Sequence, residues 1–138
     1  ELTDGITTGE NMAFNDKLGV AAWRYRFGVS PDLMKKDKPN QRFLYARDND
    51  GKLKWHLDEG FKQQMMGLVM AGDNVFISGV PNAKDPNEKS ELWVVSVADG
   101  KKLTTIPLDS KPSYDGLSAA NGKLYLCTED GKLICFGE

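Results

Sequence analysis

The chain has 138 residues, of which 40% are hydrophobic and 28% charged, and a formal net charge of −2. Length and composition fit one globular domain with a real core. Lys and Arg never run more than two together, and no apolar stretch approaches the ~18 residues of a membrane span. The sequence therefore offers no handle for nucleic acid or an anionic membrane surface.

The first segment, ELTDGITTGENMAFND (1–16), reads as loop with at most one short strand. It opens on Glu1 rather than Met and carries no secretory leader, so we expect a processed or excised piece. GVAAWRYRFGV (19–29) reads as a strand, with Trp23, Tyr25 and Phe27 on one face and Arg24 and Arg26 on the other. SPDLMKKDKPNQ (30–41) is a charged connector with room for one helical turn after Pro31.

From Phe43 onward the chain repeats itself with a period of 49. Phe43-Leu44-Tyr45-Ala46 falls on Leu92-Trp93-Val94-Val95, and Asp50-Gly51-Lys52 on Asp99-Gly100-Lys101. Gly67-Leu68 falls on Gly116-Leu117, Ala71 on Ala120, and Val75-Phe76-Ile77 on Leu124-Tyr125-Leu126. Each unit reads as four short strands. In the second, LWVVSV turns at Asp99-Gly100 into KLTTIPL, and YDGLSAA turns at Asn121-Gly122 into KLYLCT. In the first, FLYAR, KLKWHL, MMGLVMA and NVFISG take the same roles. FKQQMMGLVM alone could pass for a helix, but its register with PSYDGLSAA, which holds Pro112 and Gly116, favours a strand. VPNAKDPNEKSE (80–91) is a polar, solvent-facing insertion. Its counterpart in the last unit is the tight turn at Asp130-Gly131, which leads into KLICFG.

Ten or eleven strands result, in a single β-repeat domain over 1–138. It comprises a partial blade and connector (1–40), a blade-like unit (41–90) and a second one at the C-terminus (91–138). The expected class is all-β, with antiparallel four-stranded blades forming a partial β-propeller of about two units and part of a third. A closed propeller needs ~4 to 8 blades. The chain would thus be the last part of a larger propeller, or close a ring with copies of itself, or settle as an open sandwich; the first is preferred. Blade faces and edges left uncovered predict association or marginal stability for the isolated chain.

Cys127 and Cys135 flank the Asp130-Gly131 turn. A two-residue turn would send them to opposite faces, and a three-residue turn would bring them onto one. We expect two free thiols, at least one of them buried, rather than a disulfide.

The stretch from Ser90 to Glu138, with its strand, DGK turn and later NGKLYL…DGKL.CFG, resembles the closing blades of PQQ-like (pyrroloquinoline-quinone-type repeat) β-propeller proteins. MAFNDKLGVAAWRYRFG resembles the segment leading into such blades in large secreted members. The resemblance implies a periplasmic or secreted protein. It also bears on LYARDNDGKLKW (44–55). Ala46, Asp48, Gly51, Lys52 and Trp55 echo the family's tryptophan-docking motif Ala-x-Asp-x-x-Thr-Gly-Lys-x-x-Trp, one residue short in the turn and without the Thr. The resemblance implies a structural role: the Trp packs between blades while the Asp and Gly shape the turn. In the second copy Val97 stands for Asp48 and Thr104 for Trp55.

A quinone-dependent member would need an aromatic floor, an Asp base, a calcium ion held by carboxylate and amide oxygens, and often adjacent cysteines. The chain has no Cys-Cys, and Asp85, Glu88 and Glu91 match no cation-loop spacing. His56 is the sole histidine, which excludes a multi-histidine metal site. Trp23, Tyr25, Phe27, Trp55 and Trp93 are read as packing aromatics rather than a sugar platform. No catalytic, cofactor-binding or metal-ligating residue is assigned and no cofactor is expected. Ala46, Asp48, Gly51, Lys52, Trp55, Asp99, Gly100, Asn121, Gly122, Asp130 and Gly131 are assigned to turns and docking. The expected function is a non-catalytic scaffold for a protein or glycan, with 30–41 and 80–91 as contact elements. The remaining blades of the parent chain, or further copies of this one, would complete the fold. The competing expectation is the closing blades of a quinone-dependent dehydrogenase.

Overall fold

The structure is a computed structural model, and it describes residues 11–24, 42–57, 64–80 and 89–137. Eleven strands and no helix occur among them: β1 (Asn11–Phe14), β2 (Leu18–Arg24), β3 (Arg42–Asp48), β4 (Leu53–Leu57), β5 (Gln64–Ala71), β6 (Asn74–Val80), β7 (Ser90–Ser96), β8 (Lys102–Leu108), β9 (Pro112–Ala120), β10 (Lys123–Thr128) and β11 (Leu133–Phe136). The ambiguous segment at 61–70 supplies β5, a strand, because its apolar residues serve two sheet faces rather than one helical stripe.

Three antiparallel meanders result, in the orders β1-β2-β3-β4, β5-β6-β7-β8 and β9-β10-β11. They follow the repeat: shifting by 49 carries β5 onto β9 and β6 onto β10. Yet they cut it in a different phase from the units drawn at 41–90 and 91–138. β3 and β4 close the first sheet, β5 and β6 open the second, and β7 and β8 stay with that second sheet rather than with β9–β11. A period sets only the length of a repeat. The phase is set by which connections are hairpins and which lead from one sheet into the next, as the connection at 109–111 does between β8 and β9. The chain divides into two compact units, Glu1–Lys62 and Gln63–Glu138.

In the first unit, β2 and β3 pair in unbroken register from Leu18↔Asp48 to Arg24↔Arg42. They bury Val20, Ala21, Ala22, Leu44, Tyr45 and Ala46. In the second unit, one face of β5–β8 packs on β9–β11, with β9 lying against β5 and, less, β6. Gly67 permits that approach: a Cβ there would sit 2.9 Å from the Leu117 Cβ. The core between these two sheets is Leu92, Leu108, Leu117, Leu124 and Leu126, flanked by Phe76, Ile106, Ile134 and Phe136.

Candidate functional site

The three Asp-Gly hairpins are built alike, although they join different strand pairs. At the first, the Asp48 Oδ1 accepts the backbone N–H groups of Asp50 (3.1 Å) and Lys52 (2.9 Å). Gly51, at φ 78°, supplies the left-handed residue that ends the three-residue loop. Arg47 Nη1 donates to the Gly51 carbonyl at 2.7 Å. At the second, Val97 cannot cap and the loop is one residue longer, running between Ser96 and Lys101. Asp99 takes over and accepts the Lys101 N–H at 3.1 Å. The Ser96 hydroxyl and then that N–H hold the Asp99 carboxyl below its ordinary range.

The third hairpin is tied most firmly. Thr128 Oγ1 donates to Asp130 at 2.5 Å and accepts the Lys132 N–H at 3.2 Å. Asp130 also receives Lys132 Nζ at 2.5 Å and the Ser110 hydroxyl at 3.0 Å. Ser110 belongs to the crossing that leads into β9, so this network joins the β10–β11 turn to that crossing. The Glu129 N–H to Lys111 carbonyl bond (2.8 Å) and the Lys111–Glu129 ion pair (2.8 Å) repeat the tie. Lys132, then Thr128 and Ser110, press the Asp130 carboxyl far below the usual carboxylate range, and Asp130 in turn raises Lys132. Each of the three carboxylates is thus spent on its own turn.

Register fixes which side chains share a face. Phe76 pairs with Val94, and Leu92 with Ile106, so all four stand on the face of β5–β8 that meets β9–β11. Opposite them, Leu124 pairs with Phe136 and Leu126 with Ile134 on the inner face of the third sheet. The sheets do not close over the whole of this face. A cleft of about 520 Å³ remains, floored by Phe76, Leu92, Val94 and Ile106 and walled by Leu124 and Phe136. The β5–β6 and β9–β10 turns, at Gly72 and at Asn121-Gly122, form its rim. A side-chain hydroxyl without a partner, that of Ser78, is buried on the same face as Phe76. Such a lining takes up apolar groups, and it holds no acid and base pair to move a proton.

The sequence-assigned residues are dispersed. Ala46, Asp48, Gly51, Lys52 and Trp55 lie in the first unit, where Ala46 pairs with Trp55 across β3 and β4 and Trp55 is only 8% exposed. Asp99, Gly100, Asn121, Gly122, Asp130 and Gly131 lie in the second. Of these only Asn121 and Gly122 line the cleft; sequence reasoning missed the remainder because the cleft depends on how two sheets stack. Trp93 is buried, donates from Nε1 to Glu91 at 2.6 Å, and lies under Lys102 at 4.1 Å. His56 is exposed on β4. Tyr25, Phe27, Asp85, Glu88, the contact element at 30–41 and residues 81–88 of the one at 80–91 lie outside the described residues. No group of three or more His, Cys, Asp or Glu comes together as a metal site among the described residues.

The cysteines need a correction. Both are free and both are exposed, so the expected buried thiol is absent. The loop at Asp130-Gly131 has three residues, with Thr128 bonded to Lys132 and Gly131 at φ 79°. Cys127 therefore pairs with Leu133, and Cys135 with Tyr125, which puts both sulfurs on the outer face of the third sheet. Leu133, 66% exposed, shares that face.

No family model matches the chain, and no curated protein does. Among solved structures, it is similar to the crystal structure of HIRA(644-1017), with a TM-score of 0.55 and 16% identity over 95% of this chain. The chain spans 36% of that one. It is also similar to the crystal structure of the computationally designed Ika4 protein, with a TM-score of 0.52 and 11% identity, covering 96% of this chain and 95% of that chain. At such identities the likeness carries the fold alone. The chain is all-β, built of antiparallel, propeller-like blades.

Proposed function

We propose that this protein is a non-catalytic β-propeller module of PQQ-like repeats that serves as a rigid scaffold for a protein or glycan partner. It belongs to a larger exported protein, periplasmic or secreted. The observation that carries this reading is the apolar cleft between the two sheets of the second unit. It is concave, framed by hydrogen-bonded strands, and lined by Phe76, Leu92, Val94, Ile106, Leu124 and Phe136. A surface of that kind recognises apolar side chains by shape. The turn carboxylates support the same reading, since Asp48, Asp99 and Asp130 are each engaged in capping a turn. The outer face of the third sheet is where further blades of the parent, or further copies, would stack.

Native mass spectrometry of the protein purified from its host tests this. The scaffold reading expects a bound protein or oligosaccharide and no redox cofactor. A retained quinone together with calcium would overturn it and assign the chain to the closing blades of a quinone-dependent dehydrogenase.

A further inference from the structure

The chain has two cysteines, and the fold brings both to one place. Cys127 stands on β10 and Cys135 on β11, both free and both exposed on the outer face of the third sheet. Cys127 pairs with Leu133 and Cys135 with Tyr125, so the two thiols are diagonal neighbours on adjacent strands. Thr128 donates its N–H to the Lys132 carbonyl at the turn. By the alternation of an antiparallel ladder, both cysteine pairs are then of the kind that exchanges no hydrogen bonds, in which facing side chains stand closer.

That spacing decides what can bridge the two sulfurs. Diagonal neighbours on a sheet stand ~7 Å apart, whereas a disulfide draws its Cβ atoms to ~4 Å. An ion between the sulfurs replaces one bond of ~2.0 Å by two of ~2.3 Å, which makes up most of the difference.

The donor set decides which ion. Thiolates are soft ligands that select copper(I), zinc and iron–sulfur clusters. Structural zinc takes four protein ligands, and clusters are held by several cysteines. Among the described residues no group of three or more His, Cys, Asp or Glu comes together. Copper(I) is satisfied by two thiolates alone.

The pair is particular to this sheet. The shift of 49 sets Ser78 at the place of Cys127, and Val94, which pairs with Phe76, at the place of Cys135. The stacking is also compatible with access. β9 makes the close approach to β5 and, less, to β6, so a sheet laid on the outer face in the same manner would bear on β9 rather than on the β10–β11 hairpin.

We propose that Cys127 and Cys135 form a two-thiolate binding site for copper(I). The ion takes the place of two thiol protons, which leave to solvent, and ties β10 to β11. This goes beyond the scaffold reading and does not rest on it.

The probe is copper(I) itself, titrated without oxygen into the full reduced chain against a chromophoric copper(I) chelator. One ion per chain is expected, with two sulfur neighbours by X-ray absorption. Cys127→Ser and Cys135→Ser should each weaken binding about a hundredfold. Both side chains are exposed, so the fold should survive either change. Should one variant fail to fold, alkylation of both thiols in the wild type makes the same test and should abolish binding. Absence of binding to the wild type overturns the proposal, as does equal affinity of the wild type and either serine variant. So does one ion shared between two chains, or protein isolated from its host with Cys127 and Cys135 joined as a disulfide.

Discussion

The second and third sheets are two copies of one pattern with different fates. In the second, the face carrying Val69, Phe76 and Ser78 is covered by a neighbouring sheet; in the third, the corresponding Ser118, Tyr125 and Cys127 face outward. Valine has become serine, phenylalanine tyrosine, and serine a thiol. The opposite face keeps its apolar character, Val75 and Ile77 matching Leu124 and Leu126. The difference teaches that burial, rather than strand formation, selects these side chains. Both copies form the same hairpin, but only a covered face must be apolar.

The comparison breaks hardest at Leu126, fully buried between the sheets. Leu126→Ala should cost about 3 kcal/mol in urea unfolding, whereas Tyr125→Ala, its neighbour on the outer face, should cost below about 1 kcal/mol. Equal losses would mean that the outer face is covered in solution. Next comes Gly67→Ala, which forces a methyl against Leu117 and should destabilise by about 1–3 kcal/mol. Combining it with Leu117→Gly, which removes the Cβ that the new methyl meets, should show less than additive loss in a double-mutant cycle. Ser118→Val with Tyr125→Phe gives the outer face the residues of the covered one. Sedimentation should then show stronger self-association than the wild type at the same concentration.

The smallest effect concerns Asp130. Its carboxyl titrates lower when folded than when unfolded, so its contribution is fully present above the unfolded value of about 3.9 and is lost as pH falls toward the depressed folded one. Thermal melts of wild type and Asp130→Asn should therefore differ by a constant amount near neutrality and converge below about pH 4. A gap that persists at low pH would mean that shape rather than charge holds this turn.

Much of this architecture was legible in the chain. Alternation and Asp-Gly or Asn-Gly turns are local signals, so the strands and their hairpins could be read directly, including the strand at 64–71. The phase of the sheets could not, because a shift of 49 looks the same wherever the cut is made. The cysteines depended on one residue of loop length. With Gly131 as the third loop residue, the register moves by one and both thiols turn outward. The cleft was beyond reach for a different reason. Phe76, Ile106 and Phe136 come from three strands of two sheets, and only the stacking distance, set in part by Gly67, brings them together.

Within each four-stranded sheet the first and third hairpins lie at one end and are latched together, Asn49 to the Asp16 carbonyl at 2.7 Å and the Val97 N–H to the Asp73 carbonyl at 2.9 Å. The other end carries the middle connection, which leaves 17 residues between β2 and β3, nine between β6 and β7, and four between β10 and β11. The blade thus has one rim that cannot lengthen without breaking a latch, and another where the spacing between the described strands differs from sheet to sheet. Added length thus has a preferred address in this fold, and an inserted epitope or binding loop would be accommodated there at little cost to the frame.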